Sequence, residues 1–521
     1  MSQFVTTETV IIELLLVVIV VALAVRRFNI PYTVALVVVG LLLTLQKPVN
    51  IELTPELILG LFVPPLVFEA AFHINFNDLR RNLAGILVLA VPGVILTMFI
   101  VGGLLAVGTG LGLISALVFG ALIAATDPVS VVAIFRKLGV PKRLSVLIEG
   151  ESLFNDGTAI VLFNLILVVA LTGKFNLLTS LGDFLRVSVG GILTGLLLGW
   201  GVSWLIARVD DYLIETTLTT ILAFGSYLLA EHLHFSGVLA VVVAGLINGN
   251  LGPKGMSPTT RIILFNFWEY VAFLANSLIF LLLGLQVNIP VLLGSWSSVL
   301  WAILAVLVAR AVVVYGLGWI VNKFADPVPK RWLHVMNWGG LRGAIALALV
   351  LSLPSNFADR DLFRLMAFGV VLFTLLAQST TMRPLIRKLG IITHNPLRVE
   401  YEKRHARLTS LRAALSHLDN RHREGLLSTH AWELLQPEFD NRVKTYRDEV
   451  RQTLQSAPDL EAEELDIARR EALRAQRSAL LSLVRDGVIS QDVFDELGME
   501  IDMELGKESP PPGPVQEEGK K

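Results

Sequence analysis

The chain has 521 residues, of which 54% are hydrophobic and 17% charged, with a mean hydropathy of +0.66; this excludes an ordinary soluble globular protein and points to the polytopic membrane class. The formal net charge is −1, but 25 of the 44 acidic residues lie after residue 395, so an apolar regime is followed by a charged one. There is no cysteine, which excludes disulfides, thiolate metal sites and thiol nucleophiles.

The N-terminus carries Glu8 and Glu13 where a secretory signal has a basic region, and its apolar run stops at Arg26-Arg27. It reads as a retained first span with the N-terminus outside. Apolar runs long enough to cross or half-cross a bilayer number thirteen: 10–25, 31–45, 56–72, 83–107, 112–135, 144–171, 181–206, 213–230, 235–249, 265–286, 297–321, 332–353 and 362–386. The alternation of basic residues supports this topology. Fourteen Lys and Arg fall in the expected cytoplasmic loops, from Arg26 to Arg331, against five at most in the outer ones, namely Lys47, Lys174, Arg186, Arg360 and Arg364. The expected fold class is therefore an all-α polytopic membrane protein of thirteen transmembrane helices with a cytoplasmic C-terminus. Thirteen divides as six, a linker and six, the inverted-repeat plan of secondary transporters, whose ion sites lie at helices broken near midplane. The breaks fall in corresponding spans: Thr126-Asp127-Pro128 in the fifth, Gly339-Gly340-Leu341-Arg342-Gly343 in the twelfth.

The transmembrane part thus occupies residues 1–395. After Asn395-Pro396 the composition turns charged and helix-forming, which predicts a cytoplasmic helical tail over 396–508, with Ser456-Ala457-Pro458 between two hairpins and a disordered Pro-rich end at 509–521. Runs of mixed-sign charge such as 461–483 read as solvated helix faces.

Pro128 has no N–H to donate and disfavours helix at Asp127, so carbonyls near Ala124–Thr126 lose their partners. A kink satisfied by neighbouring helices is one reading. The other, favoured by an intramembrane aspartate directly before the proline, is a discontinuous helix whose freed oxygens meet a cation, with Asp127 facing a positive helix end. In the sixth span, Glu149-Gly-Glu-Ser-Leu-Phe-Asn-Asp-Gly157 puts Ser152 and Asp156 one turn apart, with Glu149 on the same side and Glu151 and Asn155 on a neighbouring stripe. Carboxylate, hydroxyl and amide oxygens suit Na⁺, Li⁺ or Ca²⁺ rather than soft metals.

Intramembrane arginines must be compensated, and there are two, Arg310 and Arg342. The repeat suggests pairing Asp127 with Arg342 and Glu151 with Arg310; the swapped pairing is the rival. Either way Asp156 is left without a cation. A desolvated lone carboxylate holds a proton or gives it up to a metal ion, and that competition is the basis of antiport. Asn155, rather than a second acid, beside Asp156 suggests one proton per monovalent cation and electroneutral exchange.

These three motifs, in this order on the fifth, sixth and twelfth spans, resemble the Na⁺/H⁺ antiporters of the NhaP type, relatives of the animal NHE exchangers. The resemblance covers roughly residues 10–390. It implies an NhaA/NhaP-like fold with broken, crossing helices, and a homodimer in the plasma (inner) membrane. Each protomer would have a dimerisation part and a core that carries the ion by an elevator-like movement. It also implies that Asp156 binds Na⁺, that Ser152 and Thr126 help, and that Asn155 is a structural neighbour in the site. Glu69, after Pro64-Pro65, matches an acidic position of the family and is a candidate for an entrance, as is Glu149. His232 and His234 read as surface groups, and Trp200, Trp204, Trp296, Trp301 and Trp332 as an aromatic belt.

Other functions fit less well. An intramembrane aspartyl protease would set its acids in Gly-x-Gly-Asp and share a proton between them, and a channel would line its pore with charge rings from several subunits. The chain is expected to be no enzyme, to need no cofactor, and to bind no nucleotide or nucleic acid. Lipid and a second copy are its expected partners. Oxygen ligands are shared among cations, so K⁺/H⁺ or Ca²⁺/H⁺ exchange by the same fold is the alternative to exchange of Na⁺ or Li⁺.

Overall fold

Each apolar run coincides with a helix or an interrupted helix, and the helices extend past the runs because polar turns that hydropathy ignores still complete backbone hydrogen bonds. The computed structural model describes residues 2–28, 31–46, 54, 57–209, 211–252, 256, 258–286, 294–391 and 396–506. The chain divides into two compact units, Met1–Ile392 and Thr393–Lys521.

The helices of the first unit are α1 (Ser2–Phe28), α2 (Tyr32–Gln46), α3 (Val63–His73) preceded by a π-helical turn at Leu57–Phe62, α4 (Phe76–Ala90), α5 (Pro92–Thr109), α6 (Leu113–Leu122), α7 (Val129–Leu138), α8 (Lys142–Thr172), α9 (Leu177–Ile206), α10 (Tyr212–His232), α11 (Gly237–Leu251), α12 (Pro258–Gln286), α13 (Trp296–Phe324), α14 (Lys330–Trp338), α15 (Ala344–Leu351), α16 (Arg360–Phe373) and α17 (Thr380–Lys388), the last two joined by a π-helical turn at Thr374–Ser379. Among the described residues, seven continuous helical stretches are long and apolar enough to cross a membrane, including α4 run on into α5 and α16 run on into α17. Their ends obey local chemistry. Asn75, Asn176 and Asp211 cap α4, α9 and α10 by accepting two backbone N–H bonds each, and Gly110, Gly139 and Gly173 end α5, α7 and α8 at positive φ.

The helices pack as two bundles. One holds α1–α3 and α9–α12, built around α2 on α12 and α11 on α9 and α3; the other holds α4–α8 and α13–α17, built around α5 on α6 and α13, and α8 on α4 and α6. Lipid supplies no hydrophobic drive between helices, so close approach and small residues hold them. Gly40 of α2 and Gly284 of α12 illustrate this: a Cβ on either would run into the partner's backbone, at the carbonyl of Leu281 or Val37. Between the bundles runs an apolar seam in which Leu36 and Val37 of α2 and Phe280 of α12 share a cluster with Leu347 of α15 and Phe368 of α16.

The second unit consists of α18 (Pro396–Arg423), α19 (Thr429–Gln455), α20 (Pro458–Arg485) and α21 (Gln491–Gly506). α18 and α19 form a hairpin pinned by Arg404, whose guanidinium reaches Glu400 at 2.8 Å, the Glu449 carbonyl at 3.3 Å and Thr453 Oγ1 at 3.1 Å. The Pro-rich end at 509–521 lies outside the described residues.

Candidate ion-binding site

The fifth span breaks around Thr126-Asp127-Pro128: α6 ends at Leu122, and Pro128 stands at the N-cap of α7. The chain leaves helical geometry after α6, re-enters at Val129, and does the same between α14 and α15 at Gly339–Gly343. The two unwound stretches meet: the Asp127 N–H donates to the Leu341 carbonyl at 2.8 Å. Gly343 permits the crossing, because a Cβ there would lie inside the Asp127 side chain. Gly343→Ala is therefore expected to destabilise the protein by about 1–3 kcal/mol through overpacking and to reduce transport sharply. Wild-type melting together with wild-type transport in that variant would show that the breaks do not meet at this point.

Each broken end has its own charge. Asp127 Oδ1 accepts the Val129 N–H at 3.0 Å, at the positive start of α7. Arg342 Nη1 donates to the Ala124 and Ala125 carbonyls at 2.5 and 3.0 Å, at the negative end of α6. This corrects the expected Asp127–Arg342 ion pair, which does not form among the described residues. The proline frees carbonyls as well as exposing a helix start, and the guanidinium, with donors in a fixed fork, satisfies the carbonyls. The Arg342 N–H in turn donates to Thr374 Oγ1 of the second π-helical turn at 3.2 Å. Glu151 and Arg310 do face each other: the guanidinium gives both η nitrogens to the carboxylate, and Nη2 also donates to the Met336 carbonyl of α14 at 2.9 Å. Both side chains are buried.

α8 passes alongside the crossing. Ser152 Oγ donates to the Thr126 carbonyl at 2.5 Å; Asn155 Nδ2 donates to Thr126 Oγ1 at 2.7 Å while its Oδ1 accepts the Thr126 N–H at 3.3 Å. Thr126 is thus held from three sides, which fixes where the unwound backbone lies. One turn on from Ser152, Asp156 lines a cavity of about 480 Å³ between the two bundles, and its Oδ1 has no hydrogen-bond partner among the described residues.

The second bundle gives the cavity wall Thr126, Asp127, Ser152, Asp156 and Glu149, and the first gives Tyr32, Thr33, Glu69 and Glu269. It extends to the exposed Arg136 and Lys137 at the end of α7. Glu69 is paired with His73 one turn away at 3.2 Å. Of the sequence candidates, then, Thr126, Asp127, Ser152, Asp156, Glu149 and Glu69 share one cavity, while Glu151, Arg310 and Arg342 lie behind it. Sequence reasoning missed Glu269 and His73. An ionisable residue in the apolar 265–286 run was a signal for Glu269; His73 had only its helical spacing from Glu69. His232 and His234 are exposed.

A polytopic helical protein in which two broken helices cross beside a cavity-facing carboxylate has the construction of a secondary transporter. The chain belongs to the sodium/hydrogen exchanger family: the family described as "Sodium/hydrogen exchanger, transmembrane" matches residues 14–388. It is 45% identical over 394 residues to the Na⁺/H⁺ antiporter ApNhaP of Aphanothece halophytica, covering 75% of this chain and 76% of that one. It is 37% identical over 473 residues to the low-affinity Na⁺/H⁺ antiporter NhaS1 of Synechocystis sp., covering 89% and 90%. The solved structure of the sodium proton antiporter MjNhaP1 from Methanocaldococcus jannaschii at pH 8 matches with a TM-score of 0.63 and 20% identity, over 75% of this chain and 99% of that one, and shares its fold. The protein is a multi-pass integral membrane transporter and not an enzyme.

Proposed function

We propose that this protein exchanges Na⁺ or Li⁺ for H⁺, one for one, by alternating access with both ions competing for Asp156. One observation carries the reading. Of the acids around the helix crossing, Glu151 is matched by Arg310 and Asp127 by the start of α7, whereas Asp156 faces the cavity with one oxygen unengaged. The Thr126 carbonyl and Ser152 hydroxyl beside it complete a set of hard oxygens for a monovalent cation. The names of the relatives agree with sodium as the cation.

On this reading the cavity is the inward-open access path, with Glu69 and Glu149 drawing cations toward Asp156. The bundle of α4–α8 and α13–α17 carries the site past the other bundle, which pairs two copies in the plasma membrane. The thirteen spans run with the N-terminus outside and the tail in the cytoplasm, as the fourteen-to-five distribution of basic residues supports.

The test is proton movement in sealed proteoliposomes under an imposed Na⁺ gradient, repeated with Li⁺, K⁺ and Ca²⁺. Absence of cation-driven proton movement would sink the antiport reading. A response to K⁺ or Ca²⁺ alone would move the assignment to the alternative cations. Stoichiometry is read by clamping the membrane potential. A net charge moved per cycle is worth about 2.3 kcal/mol at 100 mV, a strong bias, so one-for-one exchange predicts a rate unchanged by the potential. A clear voltage dependence rejects it.

A further inference from the structure

Thr33 is the second residue of α2 and Ser130 the second residue of α7, and their hydroxyl oxygens lie 2.5 Å apart. Each residue is only 5% exposed. The two helices belong to different bundles, so this hydrogen bond joins the bundle that holds the broken helices to the one that does not. Each end is anchored within its own bundle. Beside Thr33, the Tyr32 hydroxyl is hydrogen-bonded to Ser277 of α12 at 2.9 Å and its ring stacks on Phe273 at 5.3 Å. Ser130 follows Val129, whose N–H is held by Asp127. Thr33 lines the same cavity as Asp127 and Asp156.

Elsewhere among the described residues the bundles meet largely through apolar contacts. Gly157 of α8 lies against Leu239 of α11, where an added Cβ would come within 2.5 Å of Leu239 Cδ2, and the seam of α2 and α12 on α15 and α16 is apolar. Apolar contact is non-directional and re-forms after a shift. At the α3–α4 connection, where the chain itself ties the bundles, the Phe76 N–H donates to Asn250 Oδ1 at 2.8 Å. A buried hydroxyl pair is directional, and a displacement of an ångström or two breaks it.

We propose that Thr33 and Ser130 are positioning residues for the transport step: their hydrogen bond holds the site-bearing bundle where the cavity reaches Asp156, and it breaks and re-forms in each cycle. This rests on the alternating-access reading above. A net hydrogen bond shifts an equilibrium by roughly 2- to 10-fold, enough to favour one conformation and weak enough to be released on every turnover.

The chain has no cysteine, so Thr33→Cys with Ser130→Cys introduces the sole thiol pair into the full-length protein. The 2.5 Å hydrogen bond shows that the two side chains point at each other, as the side chains of a disulfide must. Sodium-driven proton movement is measured in proteoliposomes before oxidation, after it, and after reduction, with cross-linking scored separately by mass and free-thiol content. The expected result is efficient cross-linking, transport lowered more than about 10-fold, recovery on reduction, and no effect of oxidant on either single variant. Cross-linked protein that transports as fast as the reduced form overturns the proposal, and so does failure of the pair to cross-link. Should the reduced double variant itself be inactive, Thr33→Val with Ser130→Ala decides. A 2- to 10-fold change in the sodium KM at unchanged melting temperature supports the proposal, and wild-type KM and Vmax overturn it. An inactive wild-type chain would instead sink the antiport reading, so the two failures are distinguishable.

Discussion

Asp156→Asn is expected to abolish sodium-driven proton movement and to leave the protein folded. Asparagine keeps the shape and an oxygen ligand but neither titrates nor carries charge, so the proposed competition between proton and cation would disappear with the carboxylate. Folding is expected to be spared because Asp156 Oδ1 accepts no hydrogen bond from the described residues and the side chain lines a cavity, so little packing is lost. A charge in a poorly solvated place is itself unfavourable. Thermal melting in detergent should therefore match or exceed that of the wild type. Cation-dependent proton transport by Asp156→Asn at more than a few per cent of the wild-type rate would remove Asp156 from the coupling step. A collapse in stability would make it a structural acid.

Arg310→Met has the opposite signature. It leaves the Glu151 carboxylate buried without its cation, and breaking a buried pair from one side costs about 3–5 kcal/mol. The expected result is loss of most folded protein, seen as poor recovery and an early melt. Glu151→Leu combined with Arg310→Met removes both charges and should restore much of the stability, since a buried pair replaced by apolar groups is often neutral. Restoration stays incomplete because Arg310 Nη2 also holds the Met336 carbonyl at the end of α14. A stable Arg310→Met single variant would show that Glu151 does not depend on this arginine. The two experiments separate an acid that works from an acid that supports.

Much of the site was legible in the sequence because its chemistry is local. Pro128 breaks a helix wherever the helix lies, and the four-residue spacing of Ser152 and Asp156 puts them on one face without reference to any neighbour. The pairing of Glu151 with Arg310 was suggested by the repeat, which left the swapped pairing open, and only the structure shows these two side chains facing each other. Its counterpart failed for an instructive reason. The symmetry of the two helix breaks matched Arg342 with Asp127, but a broken helix carries charge of its own at both ends, and the arginine went to the freed carbonyls of Ala124 and Ala125.

Taken alone, the sequence determined that the chain is helical and membrane-embedded, where its helices break, and which few polar groups hydrocarbon must accommodate. Each of these follows from backbone hydrogen bonding and transfer energies that act residue by residue. Only the tertiary structure decided which groups meet. Arg310 and Glu151 are 159 residues apart in sequence, Arg342 and Ala124 are 218 apart, and Thr33 and Ser130 are 97 apart. Contacts of that range depend on how whole helices cross, and glycines such as Gly343 set that crossing through the absence of a side chain, which carries no pattern of charge or hydropathy to read.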